Sequence, residues 1–177
     1  TKLRDAHTKS KKFRELVREI AALLTYEATQ DLIVQPTQVE TPLAVTNGVD
    51  LSEPIGLVPI LRAGLGMVDA FLELFPESQV WHLGLFRDER TLRPVEYYNK
   101  LPDQTTVDTC LILDPMLATG SSLVAVFETL KELGNVKQVH LISVIASEEG
   151  IEKVSSNFPE NTHVWVATVD PKLNAQG

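Results

Sequence analysis

The chain has 177 residues, 44% of them hydrophobic, and a formal net charge of −8 at pH 7. This length and apolar content suit one buried core, so we predict a single domain over residues 1–177. The acidic balance argues against nonspecific nucleic-acid binding, because there is no surplus of basic residues to neutralise phosphates. The N-terminus lacks an apolar signal core and no run is long enough to span a bilayer, which predicts a cytoplasmic location and no membrane partner.

The N-terminal part of the sequence predicts a helix followed by a β arm. Apolar residues recur at helical spacing over residues 11–28, with charged residues on the other face. Val39, Leu43 and Val45 then share one face of an alternating run that ends at the tight-turn dipeptide Asn47-Gly48. We therefore expect a strand that enters a hairpin at Asn47-Gly48.

From Ile55 onward, short and nearly continuous apolar runs alternate with helical patterns. Such runs are typical of strands covered on both faces, and the alternation implies right-handed crossovers and parallel pairing. We interpret residues 87–103, which interrupt the alternation, as a projecting loop or hairpin. The predicted fold class is α/β, a doubly wound, mostly parallel sheet with an N-terminal helix and a β arm. The predicted strands are 55–60, 80–86, 110–113, 139–145 and 164–169, and the predicted helices are 65–75, 121–133 (capped by Gly134) and 148–157.

The segment from Asp114 to Ser122 predicts a phosphate-binding loop between a strand and a helix. Backbone N–H groups around Gly120 can converge on an anion, the hydroxyls of Thr119, Ser121 and Ser122 add donors, and the helix dipole favours negative charge. Asp114 follows the strand, where α/β sheets place ligand-binding groups, and can accept hydrogen bonds from sugar hydroxyls. The alternative is an ordinary turn in which Ser121 and Ser122 only cap the helix.

Two arginines are candidates for binding a polyanionic ligand in this acidic chain. Arg62 follows one predicted strand and is close to Gly64, where the backbone can approach a ligand, and Arg87 follows the next strand. A guanidinium forms forked hydrogen bonds to phosphate oxygens. A bound divalent cation is a third source of positive charge, but the histidines show no metal-ligand spacing, so we predict no metal-binding cluster of side chains. The lone cysteine, Cys110, lies in an apolar run and predicts an inert buried thiol.

The loop sequence resembles the phosphoribosyl diphosphate motif of the type I phosphoribosyltransferases. Asp-Pro-Met-Leu-Ala-Thr-Gly is similar to the version in the uracil phosphoribosyltransferase family, in which proline replaces the second acid of the usual acidic pair. The resemblance extends along essentially the whole chain. The other stretches that carry it are residues 58–67, 87–89, 94–98 and 149–151, together with Asp170 and Leu173-Asn174.

This resemblance implies pyrimidine salvage: uracil and 5-phosphoribosyl 1-diphosphate react to give UMP and diphosphate, with Mg²⁺ as cofactor. It also implies a homo-oligomer, a dimer or tetramer, with GTP as a possible effector. Asp114 and Arg87 are the implied catalytic residues, and Arg62 joins Arg87 on the diphosphate. The implied ligands of 5-phosphoribosyl 1-diphosphate are Arg62, Arg87, Asp114, Pro115, Met116, Leu117, Ala118, Thr119, Gly120, Ser121 and Ser122.

Two features keep alternatives open. The family usually has glycine at the position of Ser121, whose side chain either hinders the approach of a phosphate or adds a donor. The family's uracil contacts lie in a segment with a Pro-Gly-x-Gly-Asp turn, expected downstream of Gly177, so we assign no uracil-binding residue. The alternatives are a non-catalytic regulator that binds 5-phosphoribosyl 1-diphosphate and a phosphoribosyltransferase for another base.

Overall fold

A central sheet flanked by helices dominates the computed structural model, which describes residues 1–88, 94–104, 106–132 and 136–171, without the side chains of Arg87 and Pro94. A short 3₁₀ turn at Lys2–Arg4 precedes the first α-helix. The helices are α1 (Ser10–Ala28), α2 (Leu65–Leu74), α3 (Ser121–Glu132) and α4 (Glu148–Asn157). The strands are β1 (Val34–Glu40), β2 (Val45–Leu51), β3 (Ile55–Leu61), β4 (Gln79–Val80), β5 (Leu83–Arg87), β6 (Pro94–Asn99), β7 (Thr109–Leu113), β8 (Met116–Leu117), β9 (Gln138–Ser147) and β10 (Thr162–Asp170).

The central sheet has the strand order β10-β9-β7-β3-β5-β6. Neighbouring strands along this order are parallel except β6, which runs antiparallel to β5. The two-residue strands β4 and β8 pair in parallel with β3 and β9. The mostly parallel sheet predicted from the continuous apolar runs is confirmed.

Helices cover both faces of this sheet. Successive side chains along a strand point to opposite faces, so neighbouring residues of one strand show what packs on each face. In β7, Leu111 and Leu113 pack with α1 and α2, whereas Cys110 and Ile112 pack with α3 and α4. Burial raises the pKa of the Cys110 thiol to about 12. The reactive thiolate is therefore scarce at neutral pH, as expected for the predicted inert thiol. The doubly wound arrangement is therefore also confirmed.

Strands β1 and β2 pair antiparallel and form the predicted β arm. The predicted position of its turn is wrong, because Asn47-Gly48 lies inside β2. The chain reverses earlier, where the Thr41 hydroxyl accepts hydrogen bonds from the N–H groups of Leu43 (3.3 Å) and Ala44 (3.1 Å). The Thr41 N–H also donates to the Ala44 carbonyl at 3.1 Å. A side chain that satisfies the turn backbone competes successfully with the intrinsic preference of Asn-Gly.

The segment predicted as a loop or hairpin over residues 87–103 contains β6, whose antiparallel pairing with β5 makes it a hairpin. Residues 89–93 of that segment, and the predicted helix cap Gly134, lie outside the described residues. Within the described ranges, no helix has both the length and the apolar character needed to cross a membrane.

Candidate active site

Three adjacent strands bring the predicted anion-binding residues to one edge of the sheet. β3 lies between β7 and β5, and all three are parallel, so their carboxyl ends meet at the same edge. Arg62 follows β3, Arg87 ends β5, and Asp114 follows β7. Arg62 is exposed, whereas only the backbone of Arg87 is described. This edge is where open α/β sheets bind ligands.

The loop after β3 packs tightly against the end of β7. A Cβ atom added to Gly64 would lie 2.3 Å from the Leu113 carbonyl oxygen and 2.7 Å from the Ile60 nitrogen. The Gly64 N–H donates to the Ile60 carbonyl at 2.8 Å, and the peptide bond between Leu61 and Arg62 is cis. Only glycine fits this contact, which holds the Arg62 loop beside Asp114.

Asp114 is mostly buried at the start of the predicted phosphate loop. Its N–H donates to the Ile142 carbonyl at 3.2 Å, and its Oδ1 accepts from the Met116 N–H at 3.3 Å. Burial raises the pKa of this carboxyl from 3.8 to about 6, although the Met116 hydrogen bond favours the charged form. A carboxylate with so little solvation is well suited to accept hydrogen bonds from ligand hydroxyls.

The loop between Asp114 and α3 is fixed by its own backbone. The Pro115 carbonyl accepts from the N–H groups of Val144 and Ile145, both at 3.1 Å. Leu117 is 2% exposed and belongs to the core, so it offers a ligand only backbone groups, whereas Met116 is 63% exposed. The intervening strand β8 was not predicted, because two residues are too short to show a pattern.

The start of α3 has the donors expected of an anion site. Gly120 has a φ of 70°, in the left-handed region, and turns the chain into the helix. The first backbone bond after it runs from the Val124 N–H to the Gly120 carbonyl at 3.0 Å. The N–H groups of the residues before Val124 have no partner within the helix, as in any helical first turn. Thr119, Ser121 and Ser122 are half-buried there, which leaves their hydroxyls within reach of a ligand.

Helix α4 also packs against this loop, and sequence reasoning did not place any of its side chains in the site. The Ser147 hydroxyl donates to the Ala118 carbonyl at 2.6 Å and accepts from the Gly150 N–H at 2.9 Å. A Cβ atom on Gly150 would lie 2.3 Å from the same Ala118 oxygen. This contact brings Lys153 to the loop, with its Nζ 2.7 Å from the Ser121 hydroxyl. The family-like stretch at residues 149–151 was the only signal in the sequence.

Comparison with known proteins agrees with this geometry. A family model described as uracil phosphoribosyltransferase matches residues 1–177, the whole chain. The chain belongs to the uracil phosphoribosyltransferase family. The family member from Roseiflexus sp. (strain RS-1) is 52% identical over 177 residues, covering 100% of this chain and 84% of the relative. The member from Finegoldia magna is 48% identical over 178 residues, with the same coverage of 100% and 84%.

Solved structures support the fold. The structure of the AQ2163 protein from Aquifex aeolicus matches with a TM-score of 0.90 and 36% identity, over 99% of this chain and 83% of that one. A hypoxanthine phosphoribosyltransferase from Staphylococcus aureus matches with a TM-score of 0.58 and 13% identity, over 91% of this chain and 77% of that one, which shows the fold alone. The predicted resemblance is confirmed, and these relatives do not favour the non-catalytic alternative.

Proposed function

We propose that this chain transfers the phosphoribosyl group of 5-phosphoribosyl 1-diphosphate to uracil, giving UMP and diphosphate, within a single domain over residues 1–177. One observation carries the proposal: in a member of the uracil phosphoribosyltransferase family, Arg62, Asp114 and the loop before α3 meet at one sheet edge. The curated relatives bear the name of this activity.

Each group at the edge has a proposed role. Backbone N–H groups and hydroxyls of residues 119–122 bind the 5′-phosphate, and the Pro115–Ala118 backbone shapes the floor below the ribose. The Asp114 carboxylate accepts hydrogen bonds from the ribose hydroxyls. Arg62 and Arg87 bind the diphosphate, because guanidinium groups pair with phosphate oxygens in a forked geometry.

The chemistry demands orientation more than a nucleophile on the protein. Uracil is a weak nucleophile, so the bond to diphosphate breaks early and the anomeric carbon gains oxocarbenium character. Catalysis then depends on holding the two reactants in line and stabilising the charge that develops on diphosphate. The fixed loops at Gly64 and Pro115 supply the rigidity, and Arg62 and Arg87 supply the positive charge.

We propose Mg²⁺ as the cofactor. The described residues contain no group of three His, Cys, Asp or Glu side chains that could hold a metal. Asp114 is one carboxylate at the site, which fits a cation held mainly by ligand oxygens and water, since Mg²⁺ sheds its hydration shell reluctantly. When bound, the cation supplies positive charge to the diphosphate oxygens.

The function is tested by UMP formation from uracil and 5-phosphoribosyl 1-diphosphate, with other bases as competitors, and by calorimetry. Arg62→Ala is expected to weaken binding of 5-phosphoribosyl 1-diphosphate about 10- to 150-fold, the equivalent of about 1.5–3 kcal/mol for a charge-assisted contact. Arg18→Ala is the control, because Arg18 pairs with Glu73 near the end of α2, at the opposite edge of the sheet. Equal affinities of the two variants would contradict the role of Arg62.

We propose that the protein forms at least a dimer through the β arm and α1. Their surfaces carry several large apolar side chains that are more than half exposed, including Leu23, Tyr26, Leu43, Val45 and Val49. Large apolar side chains exposed to this extent are typical of a surface that packs against another subunit. We expect light scattering at micromolar concentration to report a dimer or larger, and Val49→Glu, which charges the arm, to raise the dissociation constant at least tenfold. A monomer in the parent protein would refute the proposal.

Activation by GTP rests on the family resemblance alone, and adding GTP to the assay of UMP formation tests it.

A further inference from the structure

Lys153 is a cation beside the phosphate loop, and none of the roles proposed above includes it. Its Nζ donates to the Ser121 hydroxyl at 2.7 Å, and the Ser121 hydroxyl in turn lies 3.3 Å from that of Thr119. The Lys153 Cβ lies 3.5 Å from the position that a Cβ on Gly120 would occupy. The ammonium therefore lies directly over the turn where α3 begins.

The surroundings leave the charge of Lys153 available to an anion. In the part of the chain that the structure describes, no carboxylate oxygen lies within 4.0 Å of its Nζ. Its partner is instead a neutral hydroxyl, and an ammonium has three donors, of which Ser121 engages one. The side chain is half-buried and comes from a helix fixed to Ala118 by Ser147, so it does not have to be ordered from free solution.

The topology separates Lys153 from the two arginines. α4 follows β9, which lies on one side of β7, whereas Arg62 and Arg87 follow β3 and β5 on the other side. Asp114 follows β7 itself, between them. A ligand with a phosphate at each end of a ribose would therefore meet Lys153 at one end and the arginines at the other.

We propose that Lys153 binds the 5′-phosphate of 5-phosphoribosyl 1-diphosphate and that Ser121 positions its ammonium. This inference rests on the proposed function. Lys153 acts here as a point charge, which pairs with phosphate without the directional demands of a guanidinium. The Ser121 side chain thus supports binding by aligning a cation as well as by donating its own hydroxyl.

Calorimetry with three probes tests this inference: 5-phosphoribosyl 1-diphosphate with Mg²⁺, ribose 5-phosphate, and diphosphate. Lys153→Met should weaken ribose 5-phosphate binding about tenfold to thirtyfold, as expected for a partly exposed charge-assisted contact, and leave diphosphate affinity within about twofold. Lys153→Arg, which keeps the charge, should stay within about threefold of the parent. Lys131→Met is the control, because it removes the same charge near the far end of α3, where Lys131 pairs with Glu128.

The outcomes separate the two claims. If the parent does not bind 5-phosphoribosyl 1-diphosphate, the proposed function fails and this inference with it. If the parent binds, two results overturn only the inference about Lys153. In the first, Lys153→Met keeps its affinity for ribose 5-phosphate; in the second, it loses affinity for ribose 5-phosphate and for diphosphate equally. Unchanged diphosphate binding by Lys153→Met also reports that the variant is folded.

Ser121→Ala tests the positioning role. It should weaken ribose 5-phosphate binding about threefold in the parent but less than about twofold in the Lys153→Met background, because the part of the loss that comes through the ammonium is already gone there and only the contact of the hydroxyl itself remains to be lost. Independent losses that multiply in the double variant would show that Ser121 does not position Lys153.

Discussion

Asp114→Asn is expected to lower UMP formation about 100-fold while making the protein more stable at pH 8. The amide keeps the shape of the carboxyl but loses the anionic acceptor for the ribose hydroxyls, a loss of roughly 1.5–3 kcal/mol for a hydrogen bond to a charged group. The gain in stability has a separate cause, since the pKa of this buried carboxyl is raised from 3.8 to about 6. Function and stability therefore make opposite demands at this position.

The sign of the pH dependence follows from that raised pKa. Between about pH 4 and pH 6 the folded protein binds more protons at Asp114 than the unfolded chain, so the contribution of Asp114 to stability falls as pH rises through this window. The cost is fully present above pH 6. We expect Asp114→Asn to raise the free energy of unfolding by about 1–2 kcal/mol at pH 8. A pKa difference of one between the folded and unfolded states corresponds to about 1.4 kcal/mol, and the expected gain is smaller than the whole difference would give because Asp114 keeps some contact with solvent. The difference should vanish near pH 4.

Urea unfolding at pH 4 and pH 8, with kcat/KM measured across the same range, checks both parts. In the parent, kcat/KM should fall as pH drops below about 6, because protonation removes the acceptor. Asp69→Asn is the matched control, an exposed aspartate on α2. An unaltered rate in Asp114→Asn would move Asp114 to a structural role, and lower stability at pH 8 would contradict the burial argument.

The fold was predictable where one physical signal dominated. Strands β3, β7 and β9 are covered on both faces, so their sequences are nearly continuous apolar runs that stand out from the helices between them. The run over residues 80–86 is instructive, because the structure divides it into β4 and β5 at Trp81 and His82. The register against β3 is the same on both sides of this break, since Leu57 pairs with Val80 and Ile60 pairs with Leu83, and the Trp81 N–H still donates to the Leu57 carbonyl at 2.8 Å. Hydropathy does not record such a local break, because a break in strand pairing depends on the backbone hydrogen bonds and not on how apolar the side chains are.

The candidate site was predictable to the extent that it follows the strand ends. Arg62 and Asp114 were expected together because parallel neighbouring strands end at one edge. Lys153 was not, because it approaches Ser121 from 32 positions along the chain through a helix whose orientation depends on Gly150. A contact that depends on how two helices pack leaves no local pattern. The turn at Thr41 was missed for a related reason, as a single hydroxyl decided it.

Gly64→Ala is expected to lower the free energy of unfolding by about 2–3 kcal/mol, as overpacking against fixed neighbours does. The φ of Gly64 is −62°, which any residue adopts, so the requirement for glycine is one of space and not of conformation. The atoms that a Cβ would meet, the Leu113 carbonyl oxygen at 2.3 Å and the Ile60 nitrogen at 2.7 Å, belong to the backbone of two core strands. They cannot rotate away as a side chain would.

The same substitution two residues later provides the control. A Cβ on Gly66 would meet only Val17 Cγ1, at 4.0 Å, and the residue lies in the first turn of α2. Gly66→Ala should therefore raise the free energy of unfolding by about 0.5 kcal/mol, through the better helix propensity of alanine. Because the loop displaced by Gly64→Ala carries Arg62, that variant should also bind 5-phosphoribosyl 1-diphosphate at least tenfold more weakly, and Gly66→Ala should bind as the parent does. Urea unfolding and calorimetry on both variants test these two expectations. Similar stabilities of the two variants would show that the loop adjusts easily to the added Cβ atom. An unchanged affinity in a destabilised Gly64→Ala would show that the close contact with β7 stabilises the core and does not position Arg62.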